Sequence, residues 1–288
     1  MLKTALKVQR DEITEYSVYT RLAKICRDPH NAGVLRSMGA AEKKHAAFWQ
    51  SRTGREVKPN TFKAFRTVFL ARVLGLTFTL KRMEKSEGTA SKQYMGLTAQ
   101  FPEAQSISRE EAEHEQTLLT MLDEERLQYA GSIVLGLNDA LVELTGALAG
   151  FTLALGETRV ISLAGLVTGI SAAFSMAASE YLSCKADAGP GQPAAASRAA
   201  KSALYTGGAY IITVMLLILP FLLMPNKFSA LGITLSIAVF VIFIFNYYLS
   251  IAKDLDFKHR FGEMTLISLG VAALSFGVGW VLKNILDV

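Results

Sequence analysis

The residues with chemistry to offer recur at two spacings. Glu42-Lys43-Lys44-His45 and Glu111-Ala112-Glu113-His114 each set a Glu and a His three positions apart, on one face of a helix. A Glu-x-x-Glu precedes each of them, Glu12 with Glu15 and Glu84 with Glu87. Two helices carrying Glu-x-x-His and two carrying a Glu make the ligand set of a di-iron carboxylate site in a four-helix bundle. That chemistry needs these groups. Bridging carboxylates hold two cations about 4 Å apart, and terminal Glu and His complete each ion while leaving room for oxygen or peroxide. One Glu-x-x-His on a helix surface would mean little, but these two contain two of the four His in the chain. Glu12, Glu42, His45, Glu84, Glu111 and His114 are therefore the primary candidate ligands, with Glu15 and Glu87 as additional ones.

A second set of acids stands in apolar surroundings. Asp139 and Glu143 lie in Gly136-Leu137-Asn138-Asp139-Ala140-Leu141-Val142-Glu143, and their i, i+4 spacing puts both carboxylates on one helix face. Glu180 lies in Ser175-Met176-Ala177-Ala178-Ser179-Glu180-Tyr181, one turn after Met176. A carboxylate near the middle of a bilayer costs about 2.5–3.5 kcal/mol even on the lenient insertion scale, so three in two helices need a reason. Hard carboxylate oxygens suit divalent ions, and a thioether adds preference for a softer one such as Fe²⁺. A cation path through Asp139, Glu143, Met176 and Glu180 is the sharper reading. Structural pairing or proton relay are the others.

The elements that must position these groups follow from composition. Residues 1–130 hold 21 Lys+Arg and 16 Asp+Glu, whereas residues 131–288 hold nine of each, so the whole +5 charge sits in the first part. A single soluble domain does not divide in this way. In the second part five apolar stretches follow one another, 130–155, 160–184, 202–224, 228–251 and 264–282. Each is long enough to cross a hydrocarbon core of about 30 Å as a helix. The second and fourth links carry Lys185, Arg198, Lys201, Lys253, Lys258 and Arg260, against Arg159, Lys227 and Lys283 elsewhere. That bias puts those two links in the cytoplasm, with residues 1–130, and the C-terminus on the far side. Gly146-x-x-x-Gly150 and Gly165-x-x-x-Gly169 read as tight helix packing. The stretch 186–200, with Pro190, Pro193 and several Gly and Ala, reads as a flexible loop.

In the first part, breaks at Asp28-Pro29, around Gly54 to Pro59 and at Phe101-Pro102 leave four helices, about 2–27, 31–53, 62–95 and 103–128. The third starts with an apolar run, 65–80, interrupted by Arg66 and Arg72. It is too short and too charged to span, and is either bundle core or a surface lying on the membrane. Glu12…Tyr19 and Glu84…Tyr94 echo each other as a duplicated hairpin would. The two tyrosines either fill the core or hydrogen-bond to ligand carboxylates. Glu103, Glu110, Glu115, Asp123, Glu124, Glu125, His30 and His259 read as solvated surface.

Several classes are excluded. Cys26 and Cys184 are too few and too far apart for a disulfide framework or a cysteine zinc site. Residues 1–10 lack the continuous apolar core of a signal peptide. No phosphate loop, nucleophile elbow or zinc-finger spacing is present, and the mild charge gives nucleic-acid binding no support.

Through Glu12…Tyr19, Glu42-x-x-His45, Glu84-x-x-Glu87 and Glu111-x-x-His114, residues 1–128 resemble the rubrerythrin branch of ferritin-like proteins. Through Gly136–Val142 and Ser175–Tyr181, residues 129–288 resemble the vacuolar iron transporter family. The combination resembles the bacterial membrane-bound ferritins. The resemblance implies an all-α chain: a cytoplasmic ferritin-like four-helix bundle followed by five transmembrane helices in a bacterial inner membrane. It also implies a homodimer that exports Fe²⁺ or Mn²⁺ in exchange for protons, with Asp139 and Met176 in the path. The bundle's di-iron centre, of iron or manganese, would capture, sense or oxidise the metal. The rival is a membrane-anchored ferroxidase or peroxidase without transport. Eukaryotic vacuolar members carry a long metal-binding insert between the second and third spans, where this chain has a short link.

Overall fold

The computed structural model describes residues 2–83, 105, 107, 109, 129–187 and 193–286. The fold is all-helical among these residues, and the chain divides into two compact units, residues 1–125 and 126–288.

In the first unit α1 (Leu2–Ile25) and α2 (Pro29–Thr53) pack along their lengths, and α3 (Thr61–Leu74) packs on α1. The punctuation is local chemistry. Asp28 caps α2 by accepting the Asn31 N–H at 2.7 Å, and Pro29 supplies a preset φ in the first turn. Gly54, at φ 65°, ends α2 in the left-handed region that a side chain would resist. Asn60 caps α3 through the Lys63 N–H. The core joins Val18 and Leu22 of α1 to Leu35 and Met38 of α2 and to Ala64 and Ala71 of α3.

The expected single helix 62–95 is corrected. Gly75 has φ 96°, which breaks α3 after Leu74, and helix resumes over 76–83. The break separates two halves of the apolar run. Phe78, Leu80 and Met83 beyond it are buried, whereas Phe62, Phe65 and Phe69 before it are exposed. Most of the expected helix 103–128 lies outside the described residues; Gln105, Ile107 and Arg109 are helical, and Ile107 packs with Ala5, Val8 and Trp49.

In the second unit five helices are long and apolar enough to cross a membrane: α4 (Ala130–Ala154), α5 (Thr158–Asp187), α6 (Pro193–Leu223), α7 (Lys227–Ala252) and α8 (Phe257–Leu286). The expected loop 186–200 is also corrected. Helix α5 runs to Asp187 and α6 begins at Pro193, because the run Ala194-Ala195-Ala196-Ser197-Arg198-Ala199-Ala200 is rich in the best helix former behind a helix-starting proline. Asn226 caps α7 through the N–H groups of Phe228 and Ser229. Asp256 accepts the His259 N–H ahead of α8, which holds its carboxyl below the ordinary carboxylate value.

Helix α4 touches the other four spans and packs most closely along α6 and α8, while α5 packs chiefly on α6. Glycine makes this possible. A Cβ at Gly136 would collide with the backbone carbonyl of Thr206 on α6, and one at Gly150 would come within 3.1 Å of the Ser275 carbonyl on α8. Lipid offers no hydrophobic drive between helices, so close backbone approach and its dispersion contacts take that role. Gly136→Ala should cost about 1–3 kcal/mol through overpacking, read as a lower Tm in detergent. Gly232→Ala, where a Cβ meets nothing within 4 Å, should leave Tm within the scatter of the wild type.

Candidate metal sites

In the first unit α1 brings Glu12, and α2 brings Glu42 and His45, to one point. The Nδ1 of His45 lies 3.8 Å from Glu12 Oε2 and 3.8 Å from Glu42 Oε2. One ligand atom from each of the three lies within 4.8 Å of the others, and all three residues are buried. Cations bound at about 2 Å hold their ligand atoms at such separations. Glu42 Oε2 is buried with no hydrogen-bond partner. Two carboxylates and an imidazole converging at a buried point offer a divalent cation ligands of matching charge. The donor set therefore fits a metal ion, of the oxygen- and imidazole-loving kind. Glu12, Glu42 and His45 would hold the ion, which when bound would supply Lewis acidity and, for iron, electrons.

Glu15 is buried one turn further along α1, where the Lys63 ammonium lies 3.4 Å from its Oε1 and 3.7 Å from Asp11. Its charge is thus shared with a lysine of α3. Tyr19 packs among Leu22, Leu35 and Met38 in the core. Glu84, Glu87, Glu111 and His114 lie outside the described residues, as does Tyr94.

In the second unit the four path candidates fall into two polar clusters and one thioether. Asp139 closes the first α-helical segment of α4, and a π-helical turn follows over Ala140–Leu144. Glu143 lies in that turn four residues after Asp139, and the hydroxyl of Tyr210 on α6 donates to Glu143 Oε2 at 2.8 Å. Tyr210 is fully buried, while Glu143 is exposed on the surface of the isolated chain. Ser268 of α8 donates to the Leu141 carbonyl inside the π turn at 2.8 Å, so a neighbouring span satisfies backbone that the irregular turn disturbs.

The second cluster surrounds Glu180 of α5. Ser202 of α6 donates to its Oε1 at 2.5 Å, and Ser132 of α4 stands 2.6 Å from the Ser202 oxygen and 3.1 Å from Oε1. Each serine has one proton to give, so the shortest links run from Ser132 to Ser202 to Glu180. Cys184 adds a weak thiol donor at 3.5 Å. Ser132 precedes Asp139 by seven residues, about 10 Å along a helix, so the Glu180 cluster sits that far nearer the start of α4. Met176 is half-buried against the membrane core between those levels.

Tyr210, Ser132 and Ser202 were not among the expected site residues. Their signal was faint: hydroxyls in apolar spans, unremarkable singly because serine and tyrosine occur in many spans. The π turn left no signal, since the i, i+4 argument assumes a regular helix.

Comparison with known proteins bears on this unit. Residues 130–190 match the VIT family model. The matched segment carries Asp139, Glu143, Met176 and Glu180, and with five membrane-length helices it supports a VIT-family membrane domain in a multi-pass membrane protein. A match to that family suggests a membrane metal-ion transporter. No curated protein matches the chain.

If Glu12, Glu42 and His45 hold a cation, Mn²⁺ bound to the full-length protein after equilibrium dialysis falls by about one ion per chain in Glu42→Ala/His45→Ala. Glu42→Gln, which removes the charge of a buried carboxylate whose Oε2 has no hydrogen-bond partner, leaves the metal-free Tm unchanged or higher; a clear fall would assign Glu42 to structure instead.

Proposed function

We propose that the chain moves Fe²⁺ or Mn²⁺ out of the cytoplasm in exchange for protons, and that the buried Glu/His group of its first unit captures the metal. The observation carrying this reading is the placement of Asp139 and Glu143 at a π turn, with Tyr210 bonded to Glu143, inside a span of a VIT-matching segment. Asp139 is nine residues beyond Ala130, about 14 Å into the helix at 1.5 Å per residue. Two acids at that depth cost several kcal/mol unless charge of the opposite sign joins them. Carboxyls inside a bilayer need protons or a cation to offset their charge, so a divalent cation entering between these two would take the place of protons. That supports coupling of metal to protons. Met176 offers a thioether on the same route, and the Glu180 hydroxyl cluster a second carboxylate.

In this reading the four ligands Glu84, Glu87, Glu111 and His114 join Glu12, Glu15, Glu42 and His45 in a di-iron bundle that binds, senses or oxidises iron, and the transporter works as a homodimer. The six basic residues of the second and fourth links support a cytoplasmic first unit.

Fe²⁺ entry into proteoliposomes holding a trapped iron-sensitive dye, under an imposed proton gradient, tests the reading. Asp139→Asn should lower flux at least tenfold, about 1.4 kcal/mol at the limiting step, and Tyr210→Phe by less, because it removes one hydrogen bond and no ligand. Glu42→Ala/Glu111→Ala should lower flux at scarce Fe²⁺ and spare it at saturating Fe²⁺. Absence of wild-type flux in both orientations would sink export and leave the membrane-anchored ferroxidase or peroxidase.

A further inference from the structure

Helix α3 carries an exposed aromatic stripe with arginines along both edges, and we propose that this face docks on an anionic lipid surface. Among the described residues of the first unit, the exposed large apolar side chains are Leu2, Phe62, Phe65, Phe69 and Val73. The last four are 72%, 64%, 55% and 53% exposed. At about 100° per residue they share an arc of roughly 80° on the helix surface. Arg66 and Arg72, both exposed, fall just outside the two edges of that arc. Ala64, Thr67 and Ala71 are buried on the opposite side, where α3 packs on α1. The stripe thus points away from the unit's own core, and that packing fixes its direction.

Charge chooses the occupant. Residues 57–83 contain Lys58, Lys63, Arg66, Arg72, Lys81 and Arg82 and no acid. Lys63 is engaged by Asp11 and Glu15, which leaves the two stripe-edge arginines facing outward. A second protein surface that buried four aromatic and aliphatic side chains would need acids placed beside both arginines. An anionic bilayer meets the requirement everywhere: rings settle at the acyl boundary and guanidinium groups at the phosphates, the arrangement of interfacial helices. The chain also carries five membrane-length helices, so a bilayer is tethered to this unit at all times and the docking is effectively intramolecular. Asn60 and Gly75 bound the helix at either end, which keeps the stripe a rigid unit of about 21 Å.

The test uses the full chain in vesicles. On a Cys26→Ser/Cys184→Ser background, Phe65→Cys and, as control on exposed α2, Ser37→Cys are each labelled with an environment-sensitive dye. Quenching is read with nitroxide on lipid acyl chains and with a water-soluble nitroxide. In vesicles with about a third phosphatidylglycerol, lipid quenching at position 65 should exceed that at position 37 at least threefold. The excess should fall at least twofold in pure phosphatidylcholine and in Arg66→Glu/Arg72→Glu. Equal aqueous quenching at both positions would overturn the proposal by leaving the stripe in water. Protection from both quenchers would also overturn it, by showing that a second copy or residues 84–128 cover the stripe. Lipid quenching indifferent to charge would overturn the anionic docking itself.

Discussion

Ionisable groups taken out of water are expensive, and both units of this chain are organised around that expense. In the first, α1 and α2 bury two carboxylates and an imidazole at one point, where Glu42 Oε2 has no hydrogen-bond partner. In the second, α4, α5 and α6 place three acids among apolar side chains and surround them with hydroxyls from Tyr210, Ser132 and Ser202. A hydroxyl satisfies a lone pair but brings no charge. The hydrogen bonds therefore lessen the penalty without removing it, and a cation is the natural counterpart.

Helix packing serves this arrangement. Helix α4 can present acids to its neighbours only because glycines let it approach them closely: Gly136 admits the Thr206 carbonyl, and Gly279 of α8 would place a Cβ 2.5 Å from the Gly150 carbonyl. Between these contacts the π turn reshapes the helix where Asp139 and Glu143 sit, and Ser268 secures its backbone. Rigid contacts thus flank an irregular turn. Such turns are frequent at functional sites because they redirect side chains at modest cost.

The five spans were legible because hydrophobic length is a direct physical requirement of a bilayer, and the acids within them because they violate it. The convergence of Glu12, Glu42 and His45 was legible because i, i+3 spacing survives in any helix, and it needed only that α1 and α2 form a hairpin. The helix end at Gly75 was missed because the flanking pattern stays apolar and helical on both sides, while the backbone at φ 96° depends on how α3 and residues 76–83 turn into the core. The start of α6 was missed because glycine and proline nearby masked an alanine-rich run. Partners such as Tyr210 for Glu143 join positions 67 residues apart, and local spacing carries no record of them.

The central claim is that the converging acids of the first unit and the acids within the spans hold divalent cations. Crystals of the full-length protein grown with Mn²⁺, with anomalous scattering collected at the manganese edge, address it most directly. The account predicts one anomalous peak among Glu12, Glu42 and His45 and another beside Asp139 and Glu143. Full-length crystals with neither peak, in saturating Mn²⁺ and again in anaerobic Fe²⁺, would contradict it and assign these carboxylates to hydrogen-bonded structure.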